Sequence, residues 1–494
     1  MKQTLPILIV LLQGLTGCQE EKNETTIQGK ITGNIPDIME YTIPVDGINY
    51  FGFEDAVPVN SSGHFQIKVN TDQLCFIELS HGYEFYGTVV AEPGANYTVS
   101  VNTEHTDNPI EIEGKDKKGQ ELYNQLHNRS MLKGHFEEEA GKYRKDTVAT
   151  RIEQSIRKSE EAEIAPFREL FENKEISQDF YQLVKTDREY FYKGVQGSVG
   201  FVNFLFSERQ QNALSKDAYT KLWGAVFQSH PVSDLRLLKS PWFYHYAELY
   251  LRYNDLIKES TSTETLSELH KQGAIHTHNI ENAKKYLSGK QLEYYIAAYL
   301  YYQAINKNYE KELISLFDKF KEEYPHSEYS HFIEPEIIPV IGFHKKKNDP
   351  LDKNIKFLEG TDNINSLKDA AKELKGKKIY IDVWATWCGP CKKEFKHSAE
   401  LYEALTSRDV TILYISLDKD EKAEQWKDMV NYYNLKGYHI RANEKLWASL
   451  RDLRGSDTFS IPWYILADED GQVLRKYAGS PSDLEKLKKQ LEEN

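Results

Sequence analysis

Lys378-Ile-Tyr-Ile-Asp-Val-Trp384, followed by Ala385-Thr-Trp-Cys-Gly-Pro-Cys391, decides the C-terminal fold. A short run rich in β-branched and aromatic residues reads as a buried strand, and Gly389-Pro390 opens a helix directly after it. Two thiols, Cys388 and Cys391, fall where the strand hands over to the helix. A helix start leaves amide N–H groups unpaired and carries partial positive charge, so a thiolate on Cys388 is favoured over the thiol.

Around this stretch, strand signals at 355–358, 378–384, 410–416, 462–467 and 472–477 alternate with helix signals at 366–374, 390–406, 421–434, 444–451 and 482–492. That alternation predicts an α/β domain over 346–494, closed by a hairpin at Asp468-Glu-Asp-Gly471. Upstream the grain differs. Residues 116–345 place Leu, Tyr and Phe at spacings of three and four and predict an all-α region, in which Tyr295, Tyr299 and Tyr302 share a helix face as core. His276 and His278 are read as a solvated pair, because i and i+2 point to different sides of a helix. Residues 27–115 alternate apolar and polar residues between turn formers, as in His64-Phe-Gln-Ile-Lys-Val69, and predict an antiparallel β-sandwich-like domain.

The first 17 residues carry one charge, Lys2, then the apolar stretch Leu5-Pro-Ile-Leu-Ile-Val-Leu-Leu12, which has the form of a secretory signal. Leu15-Thr-Gly-Cys18 resembles the lipobox of bacterial lipoproteins. The resemblance implies cleavage before Cys18, lipid on its thiol, and a tether over 18–26 that holds the protein at a membrane. The 494 residues suit several domains. Acidic residues outnumber basic ones, 76 to 62, and no basic run could follow a phosphate backbone, so no nucleic-acid partner is expected. Of the four cysteines, Cys75 lies in Leu74-Cys-Phe-Ile77 and is read as a small buried hydrophobe.

Trp387-Cys-Gly-Pro-Cys391 after Tyr380-Ile-Asp-Val-Trp-Ala-Thr386 resembles the thioredoxin superfamily, most closely its TlpA-like branch of exported, membrane-tethered thiol-disulfide oxidoreductases, over about 351–494. No second Cys or His pair follows at metal spacing, so no metal is expected. The resemblance implies that Cys388 is an exposed nucleophile and Cys391 the resolving thiol. It assigns Asp382 proton transfer with Cys391, and burial should raise the pKa of that carboxyl. Ile461-Pro462 matches the place of a cis proline whose preceding backbone pairs with a substrate strand. Trp387 matches a lid beside the nucleophile, and Gly479 a small residue that opens the groove. Lys396 stands where relatives carry a helix-kinking proline, which leaves the helix shape open. Lys392 and Lys393 are read as exposed and solubilising, with added positive potential near the thiols as the other option.

The function implied is a lipid-anchored, extracytoplasmic reductase of disulfides in exported proteins. It would need no cofactor beyond the Cys388–Cys391 disulfide and would be recharged by a membrane thiol oxidoreductase; Gly-Pro between the cysteines resembles reducing members. A peroxidase is disfavoured, since Ala385 and Ile381 stand where peroxiredoxins carry Thr or Ser and Pro. The alternative is a periplasmic or surface ligand-binding lipoprotein with an auxiliary thioredoxin-like domain, and Glu20-Glu21 weakly resembles an acidic surface-export tag.

Overall fold

The computed structural model describes residues 23–45, 54–81, 85–104, 110–127, 129, 135–206, 214–347, 349–374, 377–455 and 460–493. The signal segment 1–17, Cys18 and Glu20-Glu21 lie outside the described residues. The chain divides into two compact units, one of Met1–Leu266 with Ile280–Ala298, the other of Ser267–Asn279 with Tyr299–Asn494.

Among the described residues the first unit begins with eight strands: β1 (Glu24–Thr32), β2 (Ile38–Thr42), β3 (Glu54–Pro58), β4 (His64–Asn70), β5 (Cys75–His81), β6 (Phe85–Ala91), β7 (Asn96–Asn102) and β8 (Ile110–Glu113). β1 starts inside the stretch read as tether. The strands form two four-stranded sheets, β4-β1-β7-β8 and β3-β2-β5-β6. Alternating residues of both, among them Ile27, Ile67 and Val99 from the first and Met39, Ile77 and Val89 from the second, share one core. The expectation of purely antiparallel pairing is corrected at β1 and β7, which run parallel with Ile27 opposite Tyr97. Inward and outward residues alternate in both kinds of pair, so the sequence pattern does not report strand direction.

β5 and β6 are buried on both faces, since Phe76 and Val90 point away from the sandwich core and pack with Tyr123, Phe180 and Val184. Tyr123 lies on α1 (Lys117–Asn124), which also closes the free edge of β6. Gln120 accepts from Val90 N at 2.9 Å and donates to Val90 O at 2.8 Å; Asn124 does the same to Thr88 at 2.9 and 2.8 Å. Four residues of helix rise ~6 Å and two of strand ~6.8 Å, so amides at i and i+4 can serve alternate strand residues. The edge is thereby paired without another strand. Gln120→Leu leaves the N–H and C=O of Val90 buried and unpaired, and should cost about 3 kcal/mol, read as a lowered urea midpoint for this unit.

The remaining helices upstream of the α/β region are α2 (His135–Gly141), α3 (Ala149–Glu172), α4 (Gln178–Phe206), α5 (Lys216–Ser229), α6 (Phe243–Tyr253), α7 (Thr263–Gln272), α8 (Ile275–Tyr286), α9 (Gly289–Ile305), α10 (Glu312–Glu323) and α11 (Tyr329–Lys346). None of the described helices is long and apolar enough to cross a membrane. Tyr295 and Tyr299 are buried and Tyr302 is half-buried. The reading of His276 as solvated is corrected: it is buried, with Nδ1 2.8 Å from the Tyr299 hydroxyl.

The second unit is built on β9 (Ile355–Phe357), α12 (Leu367–Leu374), β10 (Ile379–Trp384), α13 (Gly389–Glu394), α14 (Ser398–Thr406), β11 (Thr411–Ser416), α15 (Ala423–Tyr432), β12 (Gly437–Arg441), α16 (Glu444–Arg454), β13 (Trp463–Ala467), β14 (Val473–Arg475) and α17 (Leu484–Glu492). Its sheet runs β14-β13-β10-β11-β12-β9, with β10, β11, β12 and β9 mutually parallel and β13 antiparallel to both β10 and β14. This is a thioredoxin-like fold. β12 is missing from the sequence expectation because Gly437-Tyr-His-Ile-Arg441 is interrupted by polar residues. Burial of His439 against Tyr414, ring centroids 4.8 Å apart and nearly coplanar, makes it a sheet residue and lowers its imidazole pKa to about 4. The end of the helical region contributes to this unit, since Tyr309, Val340 and Phe343 belong to its core.

Candidate active site at the head of the helix after the central strand

Every residue of β10 is buried. Alternation sends Ile379, Ile381 and Val383 to one face and Tyr380, Asp382 and Trp384 to the other, where Trp384 meets Phe395 edge-on at 5.2 Å. The chain leaves the strand through Ala385-Thr386-Trp387, and this loop is clamped from below. Asp418, just past β11, accepts from Thr386 N at 2.8 Å and Thr386 Oγ1 at 2.7 Å, and also from Ser416 Oγ at 2.7 Å.

Cys388 caps the helix that follows, and its Sγ accepts the N–H of Cys391 at 3.1 Å. The same pair is joined as a disulfide. Folding Sγ back over the first turn tucks it away, so Cys388 is 3 % exposed and Cys391 1 %. The expectation of an exposed nucleophile is therefore corrected for the oxidised form. Trp387 beside it is 59 % exposed. On reduction, the Cys391 N–H and the helix start favour negative charge on the Cys388 sulfur.

The α-helical pattern is interrupted without a proline. Phe395–His397 form a 3-10 turn, and Phe395 O accepts from both Ser398 N and Ser398 Oγ, the latter at 2.7 Å. Lys396 lies at the centre of this 3-10 turn.

Asp382 is 1 % exposed, between Tyr414 of β11 and Tyr464 of β13, and neither carboxyl oxygen has a hydrogen-bond partner in the protein. Burial first, and the nearby negative charge of Glu394 second, hold its pKa well above the usual carboxylate range. Glu394, three residues beyond Cys391, accepts from Ser482 N at 3.0 Å and Ser482 Oγ at 2.9 Å.

The Ile461–Pro462 bond is cis and directly precedes β13, and Ile461 packs on the cluster that contains both cysteines. A Cβ at Gly479 would lie 2.6 Å from Leu487 N and 2.8 Å from Asp483 O, so this glycine serves close packing on the start of α17. Lys392 corrects a second expectation. It is 2 % exposed while Lys393 is exposed. Asp418 and Glu394 carried no spacing signal to mark them. Cys75 is buried, with its thiol pushed up to about 12 by desolvation.

A dithiol at the head of the helix that follows the central strand of a thioredoxin-like sheet defines a protein of thiol-disulfide exchange. The Redoxin family profile matches residues 346–491. The thiol-disulfide oxidoreductase ResA of Bacillus thuringiensis (strain Al Hakam) is 34 % identical over 130 residues, 26 % of this chain and 68 % of ResA. Sporulation thiol-disulfide oxidoreductase A of Bacillus subtilis (strain 168) is 29 % identical over 124 residues, 24 % of this chain and 69 % of that protein. The crystal structure of the thioredoxin domain of a thiol-disulfide oxidoreductase from Bacteroides vulgatus shares 24 % identity, covering 25 % of this chain and 81 % of that one, at a TM-score of 0.20. The chain belongs, through its C-terminal domain, to the redoxin family of ResA-like thiol-disulfide oxidoreductases, and is a thioredoxin-like enzyme of that type.

Proposed function

We propose that the protein is anchored by lipid on Cys18 outside the cytoplasm and reduces disulfides of exported proteins at Cys388–Cys391. One observation carries the chemistry: the Cys388 sulfur accepts the Cys391 N–H at the head of the helix, where a thiolate is stabilised. The Cys388 thiolate attacks one sulfur of a substrate disulfide, forming a mixed disulfide and expelling the other substrate sulfur as thiolate. The Cys391 thiolate then attacks Cys388 Sγ, closes the Cys388–Cys391 bond and releases the second substrate thiolate. The substrate gains two electrons and the dithiol loses two. Asp382 takes the proton of Cys391 in the second step, a role that its raised pKa suits. Ile461 backbone and Trp387 line the place of the substrate strand. A thiol oxidoreductase in the membrane returns the electrons, because the dithiol is itself the redox group.

The test of direction is the reduction potential of the pair, titrated against glutathione and dithiothreitol in the protein from Gln19 onward. A value near thioredoxin's, about −270 mV, supports reduction; one near DsbA's, about −120 mV, makes the protein an oxidant. The anchor has its own test. Cys18→Ala should move the protein from the membrane fraction to the soluble fraction.

A further inference from the structure

Lys392 directly follows Cys391, yet its ammonium is buried in a cage of oxygens. Nζ donates to Thr386 O at 2.7 Å, to Asn306 O at 2.9 Å and to Lys307 O at 2.9 Å, with Asn308 Oδ1 at 3.4 Å. Three carbonyl acceptors match the three hydrogens of an ammonium, whereas a neutral amine has only two to give. One acceptor belongs to the active-site loop, two residues before Cys388. The others belong to the turn after α9, more than 80 residues away in sequence and within the same compact unit.

That turn is held for the purpose. Lys307 and Tyr309 both have left-handed backbone, φ 52° and 59°, which non-glycine residues adopt only when their surroundings impose it. The surroundings here are substantial. His344 Nε2 donates to Tyr309 O at 2.7 Å, Gln425 Nε2 donates to Asn308 O at 3.2 Å, the Tyr309 ring stacks on Phe343 at 4.7 Å, and the Tyr309 and Tyr433 hydroxyls are hydrogen-bonded. The charges facing the ammonium are Glu310 and Lys307 from the turn and Asp418 from the end of β11; on its own helix stand Lys393 and Glu394. Desolvation first lowers the pKa, Glu310 and Asp418 favour the charged form and Lys307 opposes it, leaving the group at about 8, so the charge persists at neutral pH.

We propose that Lys392 is a positioning residue of the redox centre: clamped between Thr386 O and the carbonyls of turn 306–308, its ammonium fixes the loop that carries Cys388 and favours the Cys388 thiolate. The turn is then part of the redox domain, and the helical segment before the α/β sheet bears on thiol acidity. This rests on dithiol exchange at Cys388–Cys391 but not on its direction or its client, since thiolate is measured without substrate.

The experiment follows the pH dependence of iodoacetamide alkylation of Cys388 in the reduced full chain. Lys392→Met should move the transition up by about one pH unit, which for a thiol of pKa near 7 is a roughly fivefold slower reaction at neutral pH that recovers at alkaline pH. Lys393→Met, which removes the same charge from an exposed site, should follow the parent curve. A folded Lys392→Met protein with the parent profile overturns the proposal, as does an equal shift in Lys393→Met. If Lys392→Met does not fold, the parent protein supplies the answer by linkage. A thiolate on Cys388 must tighten the proton on Lys392, so the side-chain NMR resonance of Lys392 should titrate at higher pH in the reduced protein than in the disulfide form. Equal titration midpoints overturn the proposal.

Discussion

Replacing Cys391 by Ser should turn the catalyst into a trap, with disulfide-bonded adducts accumulating on Cys388, while Cys388→Ser should form none and lose exchange activity down to the uncatalysed background. The asymmetry follows from the geometry. Cys388 caps the helix and receives the Cys391 N–H, whereas Cys391 is 1 % exposed and one turn further in. At pH 7 a free thiol with a pKa near 8.5 is only about 3 % thiolate, and a thiol acidified to about 7 is half ionised, a gain of roughly fifteenfold in attacking species. Only the capping sulfur is placed to receive that gain. Trapping is read as adducts on non-reducing gels that dithiothreitol dissolves. Adducts on Cys391 in the Cys388→Ser protein, with exchange retained, would reverse the assignment.

Asp382→Asn should separate stability from turnover. The native carboxyl has a raised pKa while the unfolded one titrates near 3.9, so between those values the native state binds more protons than the unfolded state. Stability from this group is therefore complete below about pH 4 and is lost as pH rises towards the native pKa, at up to about 1.4 kcal/mol for each pH unit. Asp382→Asn cannot ionise and should flatten that part of the profile, so that the variant gains on the parent as pH is raised from 5 to 8 in urea titrations. Turnover should move the other way. Without a group to take the proton of Cys391, resolution of the mixed disulfide should slow on the order of a hundredfold. A parallel pair of stability profiles would show that Asp382 ionises as easily in the fold as in the unfolded chain.

Much of the site was legible because it is contiguous. Strand, loop, capping cysteine and helix occupy Ile379 to Glu394, and each depends on near neighbours: β-branched and aromatic periodicity, Gly-Pro at the helix start, a thiol three residues from the amide that it accepts. The strand Gly437–Arg441 was hidden, because His439 looks polar until Tyr414 covers it. The family resemblance implies an exposed Cys388, and sequence does not tell which way a sulfur folds over its own turn. Strand direction in the first sheet was equally silent, since Ile27 and Tyr97 alternate alike in either sense.

By itself, then, the sequence determined the dithiol, its place between a buried strand and a helix, and the acidic residue on that strand, since these rest on side-chain identity and short-range spacing. Tertiary structure alone decided that Thr386 is held by Asp418, that Glu394 is engaged by Ser482, and that Lys392 is buried rather than solvated. The oxygens around Lys392 Nζ include backbone carbonyls of Thr386, Asn306 and Lys307. Every residue carries such a carbonyl, so no side-chain pattern marks the three that converge, and only the packed fold brings them to one ammonium.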